Sequence, residues 1–96
     1  MKKILFFSIF LTQLVQAQIT VSNIILNGNT KTQNEIIIRE ISFKINENYT
    51  DFDLDKRIKK SKENLVNLKL FNFVTINRID NKDSVKIIIE VIEKWY

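Results

Sequence analysis

The sequence predicts an α+β fold with the element order β-α-α-β-β, in which a three-stranded mixed sheet has two helices packed on one face. Two observations support this order. Helix-start signals begin at Thr32 and Thr50, and strand-like segments precede the first signal and follow the second helix. The chain of 96 residues, 45% hydrophobic and 27% charged, has room for one small domain with a modest core.

The first segment, MKKILFFSIFLTQLVQAQ, has the features of a secretory signal peptide. Lys2 and Lys3 form a basic start, the run to Leu11 is almost wholly apolar, and Val15 and Ala17 precede a suitable cleavage site. We therefore expect residues 1–17 to be a cleaved signal peptide and residues 18–96 to form the domain. The alternative, a membrane anchor, would need an apolar run of about 20 residues.

Charge and composition limit the functions that the chain can have. Removing Lys2 and Lys3 from a formal charge of +4 leaves +2, which is too small to indicate nucleic-acid binding. The chain has no cysteine, which excludes disulfides and thiol catalysis, and no histidine, the commonest general base and metal ligand. Export without cysteine suits a bacterial periplasm.

The first strand is predicted from the alternation of apolar and polar residues that begins at Ile19. It ends at Gly28, the only glycine of the chain, which Asn29 follows. A glycine at this point predicts a turn with positive φ that leads from the strand into the first helix.

The first helix is predicted from Thr32 to about Ser42. Thr32 and Glu35 have the spacing of a capping box, in which each side chain accepts a hydrogen bond from a free backbone N–H. The three isoleucines that follow have strand propensity. The capping box and the pairing of Glu35 with Arg39 at i, i+4 nevertheless favour a helix.

The second helix has a clearer start. Thr50 is the predicted N-cap, Asp53 takes the third helical position, and Tyr49 and Leu54 take the positions of a hydrophobic staple. A stripe at helical spacing then continues to a boundary near Asn67. The stripe consists of Leu54, Ile58, Ser61, Leu65 and Leu68, and the other face carries Lys56, Arg57, Lys59, Lys60 and Lys62.

Two strands complete the chain: FNFVTINRI at residues 71–79 and SVKIIIEVIEKWY at residues 84–96, joined by turn residues 80–83. Alternation in the last strand predicts one face toward the helices and one without helices. The first face contains Val85, Ile87, Ile89 and Val91, and the second contains Lys86, Ile88, Glu90 and Ile92.

Together these segments resemble a POTRA domain, the polypeptide-transport-associated module of outer-membrane barrel-assembly and bacterial surface-antigen proteins. The similarity covers residues 19 to about 91, nearly the whole mature chain. It rests on ILNGNTKTQNEIIIREI at residues 25–41 and on DLDKRIKKSKENLVNLKLFNFVTI at residues 53–76. The matching residues are Gly28, Asn29, Lys31, Thr32, Arg39, Glu40, Leu65, Leu70, Phe71 and Val74.

The chain departs from the family at two positions. The family usually has a glycine in the link between the helices and another before the Leu-Phe pair. This chain has Asn46 or Asn48 at the first position and Lys69 at the second. The departures concern the paths of the loops and leave the order of elements unchanged.

The resemblance implies a periplasmic protein-binding module of an outer-membrane protein assembly or translocation apparatus. Its partners would be unfolded or nascent outer-membrane proteins, with neighbouring POTRA modules or a membrane barrel. A module of a two-partner secretion transporter and a stand-alone envelope structural module are the alternatives. Trp95 and Tyr96 directly follow a strand, and large aromatic residues usually pack against something, either the end of their own sheet or a further part of the protein. The resemblance favours the second, so we expect further modules or a barrel to follow.

In the family the second strand lies at the edge of the sheet, which implies an edge strand at residues 73–79. Exposed edges are normally protected by lysine, proline or a bulge, and this segment has no proline and only Arg78 as a charge. We therefore expect a client strand to pair with its backbone, with Ile88 and Ile92 supplying a shallow apolar contact. Coverage by a neighbouring module is the alternative. The predicted protein-binding residues are Phe73, Val74, Thr75, Ile76, Asn77, Arg78 and Ile79.

Other chemistry has weaker support in the sequence. Asp51, Asp53 and Asp55 have the spacing of a calcium loop, but Lys56 and Lys62 stand where that loop needs glycine and glutamate. We interpret the three acids as residues that stabilise a helix N-terminus. Nothing gathers two carboxylates near a nucleophile or a phosphate loop, so we expect no enzyme activity, no cofactor and no metal. The lysines of the second helix form a solvated face or contact lipid head groups or acidic partners.

Overall fold

The structure, a computed structural model, describes residues 17–94. The predicted signal peptide up to residue 16, and Trp95 and Tyr96, lie outside the described residues. Within residues 17–94, no helix has both the length and the hydropathy needed to cross a membrane. The elements are β1 (Gln18–Asn27), α1 (Asn34–Glu40), β2 (Asn48–Thr50), α2 (Asp51–Asn67), β3 (Phe71–Asn81) and β4 (Ser84–Glu93).

The sheet has the strand order β2-β1-β4-β3. β1 is parallel to β4, whereas β1 with β2 and β3 with β4 are antiparallel, so the sheet is mixed as predicted. The predicted number of three strands is wrong, because the link before α2 adds β2, which pairs with residues 18–20. Three residues are too few to show alternation, and Thr50 has the extended backbone that suits both a strand and an N-cap.

The core lies between the sheet and the two helices. The four β4 residues predicted to face the helices are at most 4% exposed. Leu54 and Leu65 of α2 and Ile37 of α1 are fully buried in the same cluster. Alternation in the last strand and helical spacing in α2 therefore identified both sides of the core.

Ser61 joins α2 to the segment that follows α1. Its hydroxyl donates to the carbonyl of Arg57 at 2.7 Å and accepts the N–H of Ser42 at 2.9 Å. The side-chain amide of Asn64 donates to the carbonyl of Glu40, the last residue of α1, at 3.0 Å. α1 thus ends two residues before the predicted Ser42, and side chains of α2 bind the chain where it leaves the helix.

α1 also begins later than the sequence predicts. It starts at Asn34, and the N-cap residue, Gln33, makes no side-chain capping bond. The predicted capping box of Thr32 and Glu35 is therefore wrong. The N–H of Thr32 donates to the carboxylate of Glu93 at 2.7 Å, so an acceptor from the last strand replaces the local one.

α2 has the predicted bounds and cap. The hydroxyl of Thr50 accepts the N–H of Asp53 at 3.2 Å, which confirms the cap. Tyr49 and Leu54, the predicted staple residues, both belong to the core. Local signals were sufficient for this helix because its start depends on contacts within one turn.

Three residues other than glycine have a left-handed backbone: Asn46 (φ 69°), Lys69 (φ 64°) and Lys82 (φ 56°). Asn46 is therefore the link residue with the positive φ that glycine adopts most easily, and Asn48 belongs to β2. Lys69 directly follows the C-cap of α2, the position at which helices most often have glycine. The two loops therefore have positive φ at residues other than glycine, which costs more strain at Lys69 than at Asn46.

Gly28 has the positive φ that the sequence predicts, 93°. A Cβ atom at this position would overlap the carbonyl oxygen of Val91 in β4. Glycine is therefore required both for the backbone conformation and for the close approach of the turn to β4.

Replacing Gly28 by alanine should lower the free energy of unfolding by at least about 2 kcal/mol, because backbone strain and steric overlap add. Urea unfolding followed by circular dichroism measures the loss. Gln33→Ala, in the same turn, is the control and should change stability by less than about 0.5 kcal/mol. Equal unfolding midpoints for Gly28→Ala, Gly28→Val and the native chain would contradict both roles of the glycine.

Replacing Lys69 by glycine should leave stability unchanged or raise it by up to about 1 kcal/mol, because glycine removes the strain of a left-handed lysine. Lys62→Gly, on the exposed side of α2, is the matched control and should lower stability by about 1 kcal/mol. Thermal unfolding of the two variants makes the comparison. If both melt at the same reduced temperature, Lys69 is not strained.

Candidate functional site

β3 lies at an edge of the sheet, with β4 as its only strand neighbour among the described residues. Residues 73–79, termed the edge segment, run through the middle of β3. Val74 and Ile76 belong to the core and its border, whereas Phe73 and Ile79 are 67% and 52% exposed. The edge segment therefore presents one face to the core, one to solvent, and a free backbone at its side.

Alternate backbone groups of the edge segment are directed away from β4. Paired residues of an antiparallel ladder alternately exchange two hydrogen bonds and none. A two-residue turn follows β3, and its flanking residues, Asn81 and Ser84, form a pair. Counted back from that hydrogen-bonded pair, every second residue of β3 has N–H and C=O groups that face outward. In the edge segment these residues are Val74, Ile76 and Arg78.

The opposite edge of the sheet is protected along the first part of β1. β2 covers the start of β1. The N–H of Asn46 then donates to the carbonyl of Val21 at 2.8 Å, and the carbonyl of Glu47 accepts the N–H of Val21 at 3.1 Å. Further along, a bulge between Val21 and Asn23 shifts the register of β1 against β4. The side chain of Asn23 accepts the N–H of Ile24 at 2.9 Å. A bulge and local hydrogen bonds thus protect this edge as far as Ile24, and residues 25–27 pair with β4 alone in the part of the chain that the structure describes.

Arg78, the one charged residue of the edge segment, is neutralised. Its guanidinium binds the carboxylates of Asp51, Asp55 and Asp80 at 2.7–2.9 Å, and its side chain is 17% exposed. Burial alone would lower the pKa of Arg78, but the hydrogen bonds to these carboxylates outweigh it and raise the pKa above its ordinary value. The ion pairs fix β3 to the first turn of α2 and leave no free charge in the edge segment.

The acids predicted to stabilise the start of α2 also serve as ion-pair partners. Asp51 and Asp55 bind Arg78, and Asp53 binds Arg57 at 2.9 Å. Arg57 in turn donates to the carbonyl of Ser42 at 2.7 Å. The three carboxylates therefore connect α2 to β3 and to the segment after α1, a structural role that the sequence pattern did not indicate.

Apolar side chains lie beside the edge segment on the helix-free face of the sheet. Phe73 and Ile92 are paired across β3 and β4, and Ile92 is 55% exposed. A shallow cleft of about 200 Å³ lies at this pair and is also lined by Gly28 and Thr75. Ile92 thus occupies the position of the predicted apolar contact, and Ile88 is half-buried on the same strand.

Glu93 is the residue that sequence reasoning missed. Its carboxylate accepts the backbone N–H groups of Thr30, Lys31 and Thr32 and the hydroxyl of Thr30 at 2.7–3.1 Å. The hydrogen bond from the Thr30 side chain is the main cause that lowers the pKa of Glu93 to about 2. No local pattern could indicate this contact, because it joins residues more than 60 positions apart.

Asn29 also has a defined place in the turn. Its side-chain amide donates to the carbonyl of Thr32 at 2.9 Å and to the side-chain oxygen of Asn34. Glu35 lies in the first turn of α1, where a negative charge is favourable, without closing a capping box. These contacts set the path between β1 and α1.

Comparison with known families agrees with this geometry. The family model described as POTRA, surface antigen variable number repeat, matches residues 19–94. The chain belongs to the POTRA family. A search of curated proteins found no match.

Solved POTRA structures have the same fold at low sequence identity. POTRA domains 1–2 of the periplasmic domain of Omp85 from Anabaena match with a TM-score of 0.64 and 12% identity, over 83% of this chain and 50% of that one. POTRA domains 3–5 of Haemophilus influenzae BamA match with a TM-score of 0.65 and 20% identity, over 78% of this chain and 29% of that one. The chain therefore spans half or less of the structures that it matches.

A third structure, the N-terminal domain of Omp85 from Thermosynechococcus elongatus, matches with a TM-score of 0.65 and 14% identity, over 82% of this chain and 32% of that one. At these identities the solved structures establish the POTRA fold alone. The residues of the edge segment must therefore be interpreted from their own geometry.

Replacing Glu93 by glutamine should weaken the dependence of stability on acid pH. With a folded-state pKa of about 2, below the ordinary 4.5, the ionised carboxylate stabilises the fold above about pH 4.5. That contribution is lost as the pH falls from about 4.5 toward 2. Urea midpoints across this range should fall less steeply in Glu93→Gln than in the native chain, and the variant should be less stable at neutral pH.

The control for this experiment is Glu90→Gln, which changes an exposed carboxylate of the same strand. It should keep the native pH dependence. A Glu93→Gln variant with the native slope would show that the turn does not depend on the charge of Glu93.

Proposed function

We propose that this POTRA module binds extended segments of outer-membrane proteins in the periplasm by adding them as a further strand beside the edge segment. The free backbone of β3 at residues 73–79 is the observation that carries the proposal. An added strand would form hydrogen bonds with the outward groups of Val74, Ile76 and Arg78, and it requires no catalytic chemistry.

The contrast between the two sheet edges supports this assignment. The β1 edge has β2, a bulge and the side chain of Asn23 as protection. The edge segment lacks a bulge, since the irregularity of β3 ends at Phe73, and its one charge is bound by three carboxylates. A regular edge without a free lysine, a proline or a bulge favours pairing with another strand.

The cleft beside Phe73 and Ile92 supports a preference for apolar client residues. It lies on the helix-free face, next to the free backbone, where alternate side chains of an added strand would lie. Main-chain hydrogen bonds would then supply affinity with little dependence on sequence, and the cleft would favour strands with alternating apolar residues. Such alternation is typical of strands in outer-membrane barrels.

The cellular setting follows from the family and from the sequence. POTRA domains of Omp85 proteins are periplasmic, and the predicted signal peptide at residues 1–17 agrees with that compartment. The matched structures contain two or three POTRA domains in series. Neighbouring POTRA modules or a membrane barrel are accordingly the further partners of an assembly or translocation apparatus.

Titrating a peptide from an outer-membrane barrel strand into the isotope-labelled chain tests the proposal. The amide resonances of residues 73–79 should shift. Two versions of the peptide, N-methylated at alternate positions in opposite phase, should differ: one should bind like the parent and the other about 100-fold more weakly. Three lost backbone hydrogen bonds at about 1 kcal/mol each account for this difference.

A pair of variants gives the complementary test on the protein side. Ile76→Pro removes an outward N–H and should abolish the shifts, whereas Ile76→Val, which keeps that N–H, should not. The peptide comparison remains decisive if the proline variant unfolds. Equal binding of both N-methylated peptides, or shifts centred on Lys56 to Lys62, would exclude strand addition at this edge.

A further inference from the structure

α2 presents a second surface that the strand-addition proposal does not use. Opposite the buried stripe, Phe52 is 71% exposed and Val66 is 47% exposed. At about 100° per residue, four lysines fall within about 80° of Phe52 around the helix axis, and Val66 falls within about 40°. These residues, termed the lysine face, are Phe52, Lys56, Lys59, Lys60, Lys62 and Val66.

The lysine face keeps a positive charge because the three aspartates of α2 are bound to arginines. Asp51 and Asp55 bind Arg78, and Asp53 binds Arg57. Among residues 17–94, no carboxylate forms an ion pair with the four lysines. Asp55, which is bound to Arg78, and Glu63 are the acids on this side of the helix, so four positive charges and two negative charges leave a local excess of two.

The two apolar side chains lie among these charges. The ammonium group of Lys56 is 5.4 Å from the centre of the Phe52 ring, and Val66 is about 21 Å away along the helix at 1.5 Å per residue. Lysines that alternate with an exposed aromatic ring and an aliphatic side chain are typical of helices that bind at a membrane interface.

The shape of this surface favours a bilayer over a polypeptide partner. Four surface clefts are lined by residues of β1, α1, β3, β4 and the adjoining loops, and none of them by a residue of α2. The exposed side of a helix is convex, so it offers an extended acidic peptide less contact than a groove would. It can lie against a plane of head groups while lysine stems and the Phe52 ring enter the interface.

We propose that the lysine face binds the surface of a membrane that contains anionic lipid, with Phe52 and Val66 as apolar contacts. The lysine face includes no residue of β3, so lipid contact leaves the edge segment free to pair. Vesicle binding therefore tests the lysine face, and peptide titration tests the edge segment, independently of each other.

Co-sedimentation of the full chain with phosphatidylcholine vesicles, with and without phosphatidylglycerol, tests this inference. Binding should require phosphatidylglycerol and weaken with added salt. The double variant Lys59→Gln, Lys60→Gln should bind about 25-fold more weakly, at about fivefold per lysine. The control Lys82→Gln, Lys86→Gln removes the same charge from the β3–β4 hairpin and should stay within about twofold of the native chain.

A local probe shows which surface meets the lipid. The chain has no cysteine, so a single Val66→Cys variant can carry an environment-sensitive fluorophore. Its emission should shift to the blue with phosphatidylglycerol vesicles, whereas a label at Asn77→Cys on the sheet should not respond. Residues 1–17 are identical in every variant, so differences between variants on the same vesicles report the substituted surface.

Three results would overturn the inference. The first is equal loss of binding in the two double variants, which would indicate a general charge effect. The second is a fluorescence response at Asn77→Cys without one at Val66→Cys. The third is binding of polyglutamate to the lysine face without binding to phosphatidylglycerol vesicles, which would identify an acidic polypeptide as the partner.

Discussion

The parallel pairing of β1 with β4 determines the arrangement of the other elements. It joins residues 20–27 to residues 84–90 and places β4 inside the sheet. A strand has two sides, and β1 occupies one side of β4. β3, which reaches the other side through a tight turn, is left with a single neighbour. The free edge of this POTRA module is therefore a direct result of the pairing at its centre, as is the contact between Glu93 and the turn after β1.

Elements that depend on neighbouring residues could be predicted from the sequence. Alternation in β4 identified its buried face, and the Thr50 cap and the apolar stripe fixed α2. Gly28 has the positive φ that its position between strand and helix indicates. In each case the physical cause lies within one turn or one strand, so the local pattern contains the necessary information.

Features that depend on distant contacts could not be predicted in this way. The carboxylate of Glu93, at the end of β4, binds the N–H of Thr32 and replaces the predicted local cap. Asp51, Asp55 and Arg78 come together only when α2 packs beside β3. β2 exists because β1 supplies a partner for three residues of the link. The position of the edge segment came from the resemblance to the family, since no residue pattern within it distinguishes an edge strand from a central one.

Arginine and lysine have different places in this module. Arg57 and Arg78 are the cations that bind the acids of α2, and the planar guanidinium of Arg78 reaches three carboxylates at once. The lysines of the same helix remain in solvent. This division leaves the edge segment without an unpaired positive charge and gives the lysine face an excess of positive charge, although the two surfaces belong to adjacent elements.

The pairing of the first strand with the last also governs when the module can fold. β1 is the first element of the domain to emerge during synthesis or export, and β4 is the last. Until β4 emerges, the only strand partner of β1 is the three-residue β2, and closing the loop of about 60 residues between β1 and β4 costs entropy before their contacts form. The sheet of the module therefore closes only after β4 has emerged, and the module folds late.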